Sequence, residues 1–139
     1  MGEATPTIRE LAIRSRAAVQ AGDRQGWLDL FAADALVADP IGPSAFDPEG
    51  TGHRGVEAIA AFYDNVIGPS ESISFEIEQS YLCGDEVADV GIIRTTIAGG
   101  THQAVVHGVY TYRSDGAGKI AALRAFWEFD ALELIELPG

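Results

Sequence analysis

The sequence has very little cysteine, which limits the covalent cross-links and metal sites that the chain can form. Cys83 is the only cysteine among 139 residues, so a disulfide within the chain and a thiolate zinc site are both excluded. A single unpaired cysteine is typical of a reducing compartment, and the first residues carry no apolar segment that resembles a signal peptide. We therefore expect a soluble, cytoplasmic protein.

Positive charge is also scarce. Nine lysine and arginine residues stand against 21 acidic residues, which gives a formal net charge of -12. A surface of that sign repels phosphate backbones and anionic lipid, so nucleic acid and membranes are poor candidate partners. The three histidines lack zinc-site spacing, and no phosphate loop, dinucleotide fingerprint or nucleophile elbow is present, so no metal and no cofactor are expected.

What is present is ordinary globular composition, 47% hydrophobic and 22% charged, and the length suits one domain over residues 1–139. The first half has helical periodicity. Thr7 and Glu10 form a candidate capping box for a first helix. The apolar face of that helix comprises Ile8, Leu11, Ala12, Ser15, Ala18 and Val19.

Further elements are predicted along the chain. A short second helix is expected at 23–31, a short strand at 36–38, a long loop at 40–54 and a third helix at 55–68. The second half changes to strand alternation in four long segments, "SISFEIEQSYLCG", "EVADVGIIRTTIAGG", "THQAVVHGVYTYRSDGAG" and "KIAALRAFWEFDALELI". Helices followed by long strands predict an α+β fold, with a curved antiparallel sheet that has the helices on one face.

Two segments carry a family resemblance, "AGDRQGWLDLFAADALVADPIG" and "HRGVEAIAAFYDNVIG". They are similar to the bacterial Δ5-3-ketosteroid isomerases, members of the superfamily named after nuclear transport factor two, which also contains SnoaL-type polyketide cyclases. The resemblance implies a cone-shaped sheet packed on three N-terminal α-helices around an apolar pocket. It also implies an apolar polycyclic, steroid-like ligand and a homodimer through the outer sheet face. Residues that would supply this contact are Ile120, Ala122, Arg124 and Phe126.

Asp39 stands where the isomerases carry their general base, in the motif D-P-x-G. A residue before proline is held in extended geometry, so the carboxylate is expected at the end of the strand. Partial desolvation beside apolar neighbours would raise its proton affinity. The alternative is a type I turn over residues 39–42. Trp127, in "RAFWEF", matches a tryptophan whose indole donates to that carboxylate; alternatively it is a core residue.

The two oxyanion donors of the resembled family are replaced in this chain. The family uses a tyrosine of the first helix and a protonated aspartate of the third strand. Those positions carry Ser15 and Gly108 here. The candidate substitute donors are Tyr110, Tyr63 and Ser15, for which the alternatives are sheet packing, a helix anchor and a small filler. The expected pocket lining is Val19, Phe31, Phe62, Ile93, Val106, Gly108 and Ala125.

Alternation along the third long strand sorts its side chains between two faces. His102, Val106, Tyr110 and Tyr112 are predicted to face inward, and His107 outward unless a bulge reverses the assignment. In the preceding strand, Asp89 is interpreted as an edge or solvent-facing acid, with a second pocket carboxylate as the alternative. The loop at 40–54 is either a lid that carries Phe46 and His53 or simply a long loop.

The resemblance implies a cofactor-independent, ketosteroid-isomerase-like enzyme with Asp39 as base. The alternatives are a protein that binds an apolar polycycle without converting it, and a polyketide cyclase or dehydratase of the same superfamily.

Overall fold

Three helices precede most of the sheet. The computed structural model describes residues 5–138, apart from the side chain of Ala98, so residues 1–4 and 139 of the predicted domain lie outside the described residues. The helices are α1 (Ile8–Ala21), α2 (Arg24–Leu28) and α3 (Val56–Phe62), and α3 continues as a π-helical turn, Tyr63–Ile67. The predicted capping box is confirmed, because Thr7 accepts from the Glu10 N–H and Glu10 accepts from the Thr7 N–H. No helix among residues 5–138 is long and apolar enough to cross a membrane.

The sheet has seven strands. They are β1 (Phe31–Ala38), β2 (His53–Arg54), β3 (Ser72–Cys83), β4 (Glu86–Ile97), β5 (His102–Ser114), β6 (Ile120–Phe126) and β7 (Glu133–Glu136). Their order is β2-β1-β6-β5-β4-β3, with β7 paired to β5. The predicted α+β architecture is confirmed, with one correction: β1 runs parallel to β6, while the other pairs are antiparallel.

Several predicted boundaries were wrong. The second helix ends at Leu28, and Phe31 opens β1, so that strand has eight residues instead of three. The cause is tertiary, since the Ile120 N–H donates to the Leu30 carbonyl and draws the chain onto β6. The last predicted strand is divided by a 3-10 turn at Phe129–Ala131.

The main hydrophobic core lies between the helices and the inner face of β1, β5 and β6. It includes Leu11, Trp27, Val37, Ile59 and Ile120. Ile120 was predicted on the outer face, and this was wrong. The pairs Arg113–Ala122 and Ser114–Ile120 leave Ala121 unpaired in a bulge, which shifts the alternation by one residue and turns Ile120 inward. Ala122 is also buried, whereas Arg124 and Phe126 are exposed.

Candidate active site

A cavity of about 650 Å³ lies between the helices and the inner face of the sheet. Its volume falls within the range of roughly 300–1,000 Å³ that is usual for small-molecule sites. The predicted site residues that line it are Asp39, Trp127, Tyr110, Ser15, Val19, Phe62, Ile93 and Val106. The predicted residues that do not line it are Tyr63, Phe31, Gly108 and Ala125. The cavity is predominantly apolar, with a few polar groups on its wall.

Asp39 follows directly on the last residue of β1, at the wall of the cavity. The Ile41 N–H donates to the Ala125 carbonyl at 3.0 Å, which fastens the chain after Asp39 to β6. The indole Nε1 of Trp127 donates to Asp39 Oδ1 at 2.6 Å. The predicted pairing of these two side chains is therefore present. Residues 39–43 form bends, not the hydrogen-bonded type I turn of the alternative interpretation.

The environment of Asp39 strengthens it as a base. Burial raises the pKa of the Asp39 carboxyl, and this effect outweighs the hydrogen bond from Trp127 and the charge of His53, which both lower it. A carboxylate with raised proton affinity accepts a proton more readily from a weakly acidic C–H group. Asp39 thus combines access to the cavity with a favourable pKa.

The Tyr110 hydroxyl lies next to Gly108, the position where the resembled family carries an acid. Its hydroxyl donates to the Val106 carbonyl at 3.3 Å. Burial, followed by the charges of Asp39 and Tyr112, raises the pKa of the Tyr110 phenol, so the hydroxyl keeps its proton. A Cβ built on Gly108 would lie 3.2 Å from that hydroxyl and 2.6 Å from the Phe126 carbonyl oxygen. A side chain at position 108 would therefore collide with the Phe126 carbonyl and crowd the Tyr110 hydroxyl.

Ser15 and Tyr63 are both engaged by Trp27. The Trp27 indole donates to Ser15 Oγ at 3.0 Å. The Tyr63 and Trp27 rings pack with their centroids 5.6 Å apart. Phe31 packs edge-on against the same Trp27 ring, with a centroid distance of 4.8 Å. Tyr63 and Phe31 thus belong to the core next to Trp27 and not to the cavity wall. Ser15 lines the cavity, with its oxygen already accepting one hydrogen bond.

Aromatic rings from the loop and from the segment after β6 cover part of the cavity. The Phe46 ring packs on Phe129 at 5.8 Å, and Phe129 stacks with Trp127 at 5.6 Å. His53 contributes to β2 and packs on Phe62 at 4.9 Å. Phe46 thus lines the cavity as the lid interpretation requires, whereas His53 does not. Phe129 was missed, because the sequence predicted an uninterrupted strand there.

The interpretation of Asp89 as a solvent-facing acid was wrong. Asp89 is fully buried, and its Oδ2 pairs with the Arg16 Nη1 at 2.6 Å. Asp89 lies opposite Tyr110 in the β4–β5 ladder, and so it shares the inner face with Ile93. Arg16 lines the cavity and was also missed. Counting back by twos from Ile93 would have placed Asp89 inside, and a buried acid requires a cation.

The faces of β5 follow the predicted alternation for most residues. Val106, Tyr110 and Tyr112 line the cavity, whereas His102 does not. His107 is exposed on the outer face, and its Nε2 lies 3.9 Å from a Glu133 carboxylate oxygen. The β4–β5 register runs without a break, so the bulge that would have turned His107 inward is absent.

Comparisons with known proteins agree with the fold. The model of the SnoaL-like domain family matches residues 12–123. A solved Δ5-3-ketosteroid isomerase from Mycobacterium sp. is 42% identical, covers 92% of this chain and 98% of its own, and superposes with a TM-score of 0.86. A Mycobacterium tuberculosis protein in complex with estradiol-17beta-hemisuccinate is 35% identical over 91% and 97% of the two chains, with a TM-score of 0.84. A computationally designed 17-OHP binder is 33% identical over 92% and 98%, with a TM-score of 0.86.

Proposed function

Because the chain belongs to the SnoaL-like domain family, we propose that it is a cofactor-independent enzyme of the Δ5-3-ketosteroid isomerase type. The observation that carries this proposal is the Asp39 carboxylate, which the Trp127 indole holds at 2.6 Å on the wall of an apolar cavity. The 42% identity to a ketosteroid isomerase supports the same substrate class. The ligand would be a flat, predominantly apolar polycyclic ketone.

The reaction needs one base and one site for negative charge. Asp39 removes a proton from the carbon between the ketone and the C=C bond, and the electron pair of that C–H bond moves toward the carbonyl oxygen to give a dienolate. The protonated Asp39 then returns the same proton to the far carbon of the former double bond, which brings the double bond into conjugation with the ketone. No atom is gained or lost, so one carboxylate with a raised pKa serves as acid and base in turn.

Stabilisation of the dienolate is the weaker part of the site. Tyr110 keeps its proton and lines the cavity, so its single O–H can turn from the Val106 carbonyl to an oxyanion, in place of an acid at position 108. Ser15 accepts from the Trp27 indole and keeps its own O–H as a weak donor, and Tyr63 supports the site only through its packing on Trp27. We therefore expect turnover slower than a two-donor site would give.

The test is an isomerase assay. Purified protein is mixed with a Δ5-3-ketosteroid, and the absorbance of the conjugated enone is followed. Turnover above the buffer rate that falls at least about a hundredfold in Asp39→Asn supports the proposal, because the general base contributes about 10²–10⁴-fold. Turnover that survives in Asp39→Asn would reject Asp39 as the base.

A binding protein without turnover is the second candidate, and the replacement of both family donors by Ser15 and Gly108 favours it. Two solved relatives are described through the steroids that they bind and not through a reaction. A thermal shift and a saturable titration with a ketosteroid, together with no enone formation above buffer, would establish binding alone.

We also propose a homodimer through the outer face of the sheet. Val90, Val109 and Phe126 are direct neighbours across three strands and form a row on that face. Phe126 is 47% exposed, and Arg124 lies over its ring at 5.7 Å. A second copy would remove this apolar row from water.

A further inference from the structure

A charged pair, Arg16 and the buried Asp89, takes no part in the mechanism above. The Asp89 side chain is 0% exposed and the Arg16 side chain 13% exposed, with 2.6 Å between Asp89 Oδ2 and Arg16 Nη1. Arg16 lines the cavity. Within residues 5–138, Asp89 Oδ1 is buried without a hydrogen-bond partner. The contact is thus a single hydrogen bond, and it leaves both the acid and the guanidinium incompletely satisfied.

The strand register places Asp89 in the same row of the sheet as Asp39. Asp89 is opposite Tyr110, and Tyr110 is opposite Ala125. Ala38 pairs with Arg124, so Asp39 continues the ladder beside Ala125. Asp39 and Asp89 are therefore separated by three strand spacings, which is about 14 Å along the sheet and less across its curve. The charges of Arg16, Asp89 and Asp39 all act on the Tyr112 phenol, so Arg16 and the base face the same part of the cavity.

The Arg16–Asp89 pair offers a strong hydrogen-bond donor and has no net charge. A guanidinium carries five N–H donors, and within residues 5–138 Arg16 donates a hydrogen bond only to Asp89. The Asp89 carboxylate cancels the net charge, so a neutral carbonyl or hydroxyl oxygen suits the pair better than a second carboxylate. When a carbonyl oxygen becomes negative during the reaction, a cationic donor in an apolar cavity gains strength.

We propose that Arg16, held in position by Asp89, donates a hydrogen bond to the carbonyl oxygen of the ligand and replaces the donors absent at Ser15 and Gly108. Arg16 directly follows Ser15 on α1, so the donor is displaced by one residue on the same helix. The proposal rests on the isomerase-type function, but it also predicts how the cavity binds a steroid oxygen when no reaction occurs.

The test variant must not leave an isolated buried charge. Arg16→Met alone would bury the Asp89 carboxylate without a cation and risks failure to fold, whereas replacement of a whole buried pair by apolar residues is often neutral for stability. The informative variant is therefore Arg16→Met together with Asp89→Leu. The matched control is Arg9→Met, because Arg9 lies on the same helix and bonds to Ser80 on β3, away from the cavity lining.

The first measurement is steady-state kinetics with a Δ5-3-ketosteroid. The double variant should lose about 10²–10³-fold in kcat, with a much smaller change in KM, because the lost donor acts mainly on the developing oxyanion. The control should keep the activity of the parent protein. Unchanged kcat in a folded double variant would overturn the proposal.

The second measurement does not need turnover. Estradiol is the probe, and Asp39→Asn serves as the background so that its carboxylate does not oppose an ionised phenol. The ultraviolet spectrum then reports the fraction of bound phenol that is ionised as the pH is raised. Arg16 should favour the phenolate, so estradiol bound to the double variant should ionise only at higher pH. The double variant should also bind estradiol at least about tenfold more weakly than the Asp39→Asn background does. A steroid without the phenolic hydroxyl should bind equally to the background and to the double variant.

The two measurements separate the two proposals. If the parent protein never isomerises a ketosteroid, the proposed function fails, and the estradiol spectra still decide the role of Arg16. Equal spectra and equal affinities for the double variant and for Arg9→Met would overturn that role whatever the enzyme does.

Discussion

At the residue scale, the contact between Trp127 and Asp39 sets the pH at which the base works. Burial raises the pKa of Asp39, and the hydrogen bond from the indole lowers it. Trp127→Phe removes that donor and keeps most of the ring. A hydrogen bond to a charged group contributes about 1.5–3 kcal/mol, which corresponds to about one to two pH units. Because only the ionised carboxylate acts as base, the acidic limb of the kcat/KM profile should move to higher pH by that amount.

Trp27→Phe is the matched control for this shift. Its indole donates to Ser15 and not to Asp39, so the acidic limb should stay where it is in the parent protein. A limb that moves equally in both variants would mean that general loosening of the fold, and not the Asp39 hydrogen bond, controls the titration.

The same scale shows what the sequence could and could not predict about the site. Asp39 was recognisable because an acid at the end of an apolar run before proline, within a family resemblance, has few interpretations. The hydrogen bond from Trp127 followed from the same resemblance. Alternation from Ile93 would have placed Asp89 inside, but its pairing with Arg16 depends on which face of β4 meets α1, and that is a tertiary property.

At the element scale, the uncovered face of the sheet is the feature with a testable consequence. The row formed by Val90, Val109 and Phe126 should lie in a homodimer interface. Val109→Glu places a charge in the middle of that row, so the variant should sediment as a monomer where the parent sediments as a dimer. Its side chain is on the opposite face from the cavity, so ketosteroid affinity should change little.

Glu78→Lys serves as a charge-changing control outside the row, and it should leave the sedimentation coefficient unchanged. A monomeric parent protein, or a Val109→Glu variant that remains dimeric, would contradict the proposed interface.

Elements were predictable where their determinants are local. The capping box at Thr7 and the apolar period of α1 lie within one stretch of chain, and both were confirmed. The early start of β1 at Phe31 depends on parallel pairing with β6, which lies almost ninety residues away. The bulge at Ala121 likewise has no local turn signal, and it alone decides that Ile120 faces inward.

At the scale of the whole molecule, a base in an apolar cavity lowers the stability of the fold at neutral pH. Burial raises the folded-state pKa of Asp39 above its unfolded value of about 3.9. Below that pH the side chain is protonated in both states and has no such effect. As the pH rises through the folded-state pKa, the ionised form costs the folded state about 1.4 kcal/mol for each unit of difference.

Asp39→Asn should therefore unfold at a higher temperature than the parent protein at pH 7, and the difference should shrink toward zero near pH 3.5. The amide keeps an oxygen that can accept from the Trp127 indole, so the comparison removes mainly the buried charge. Asp64→Asn is the opposite case, because the exposed Arg24 lowers the pKa of Asp64. Removal of the Asp64 charge should therefore not raise the unfolding temperature at pH 7. An Asp39→Asn protein no more stable than its parent at pH 7 would show that the carboxylate is well solvated in the folded state, and the raised proton affinity needed for catalysis would then be absent.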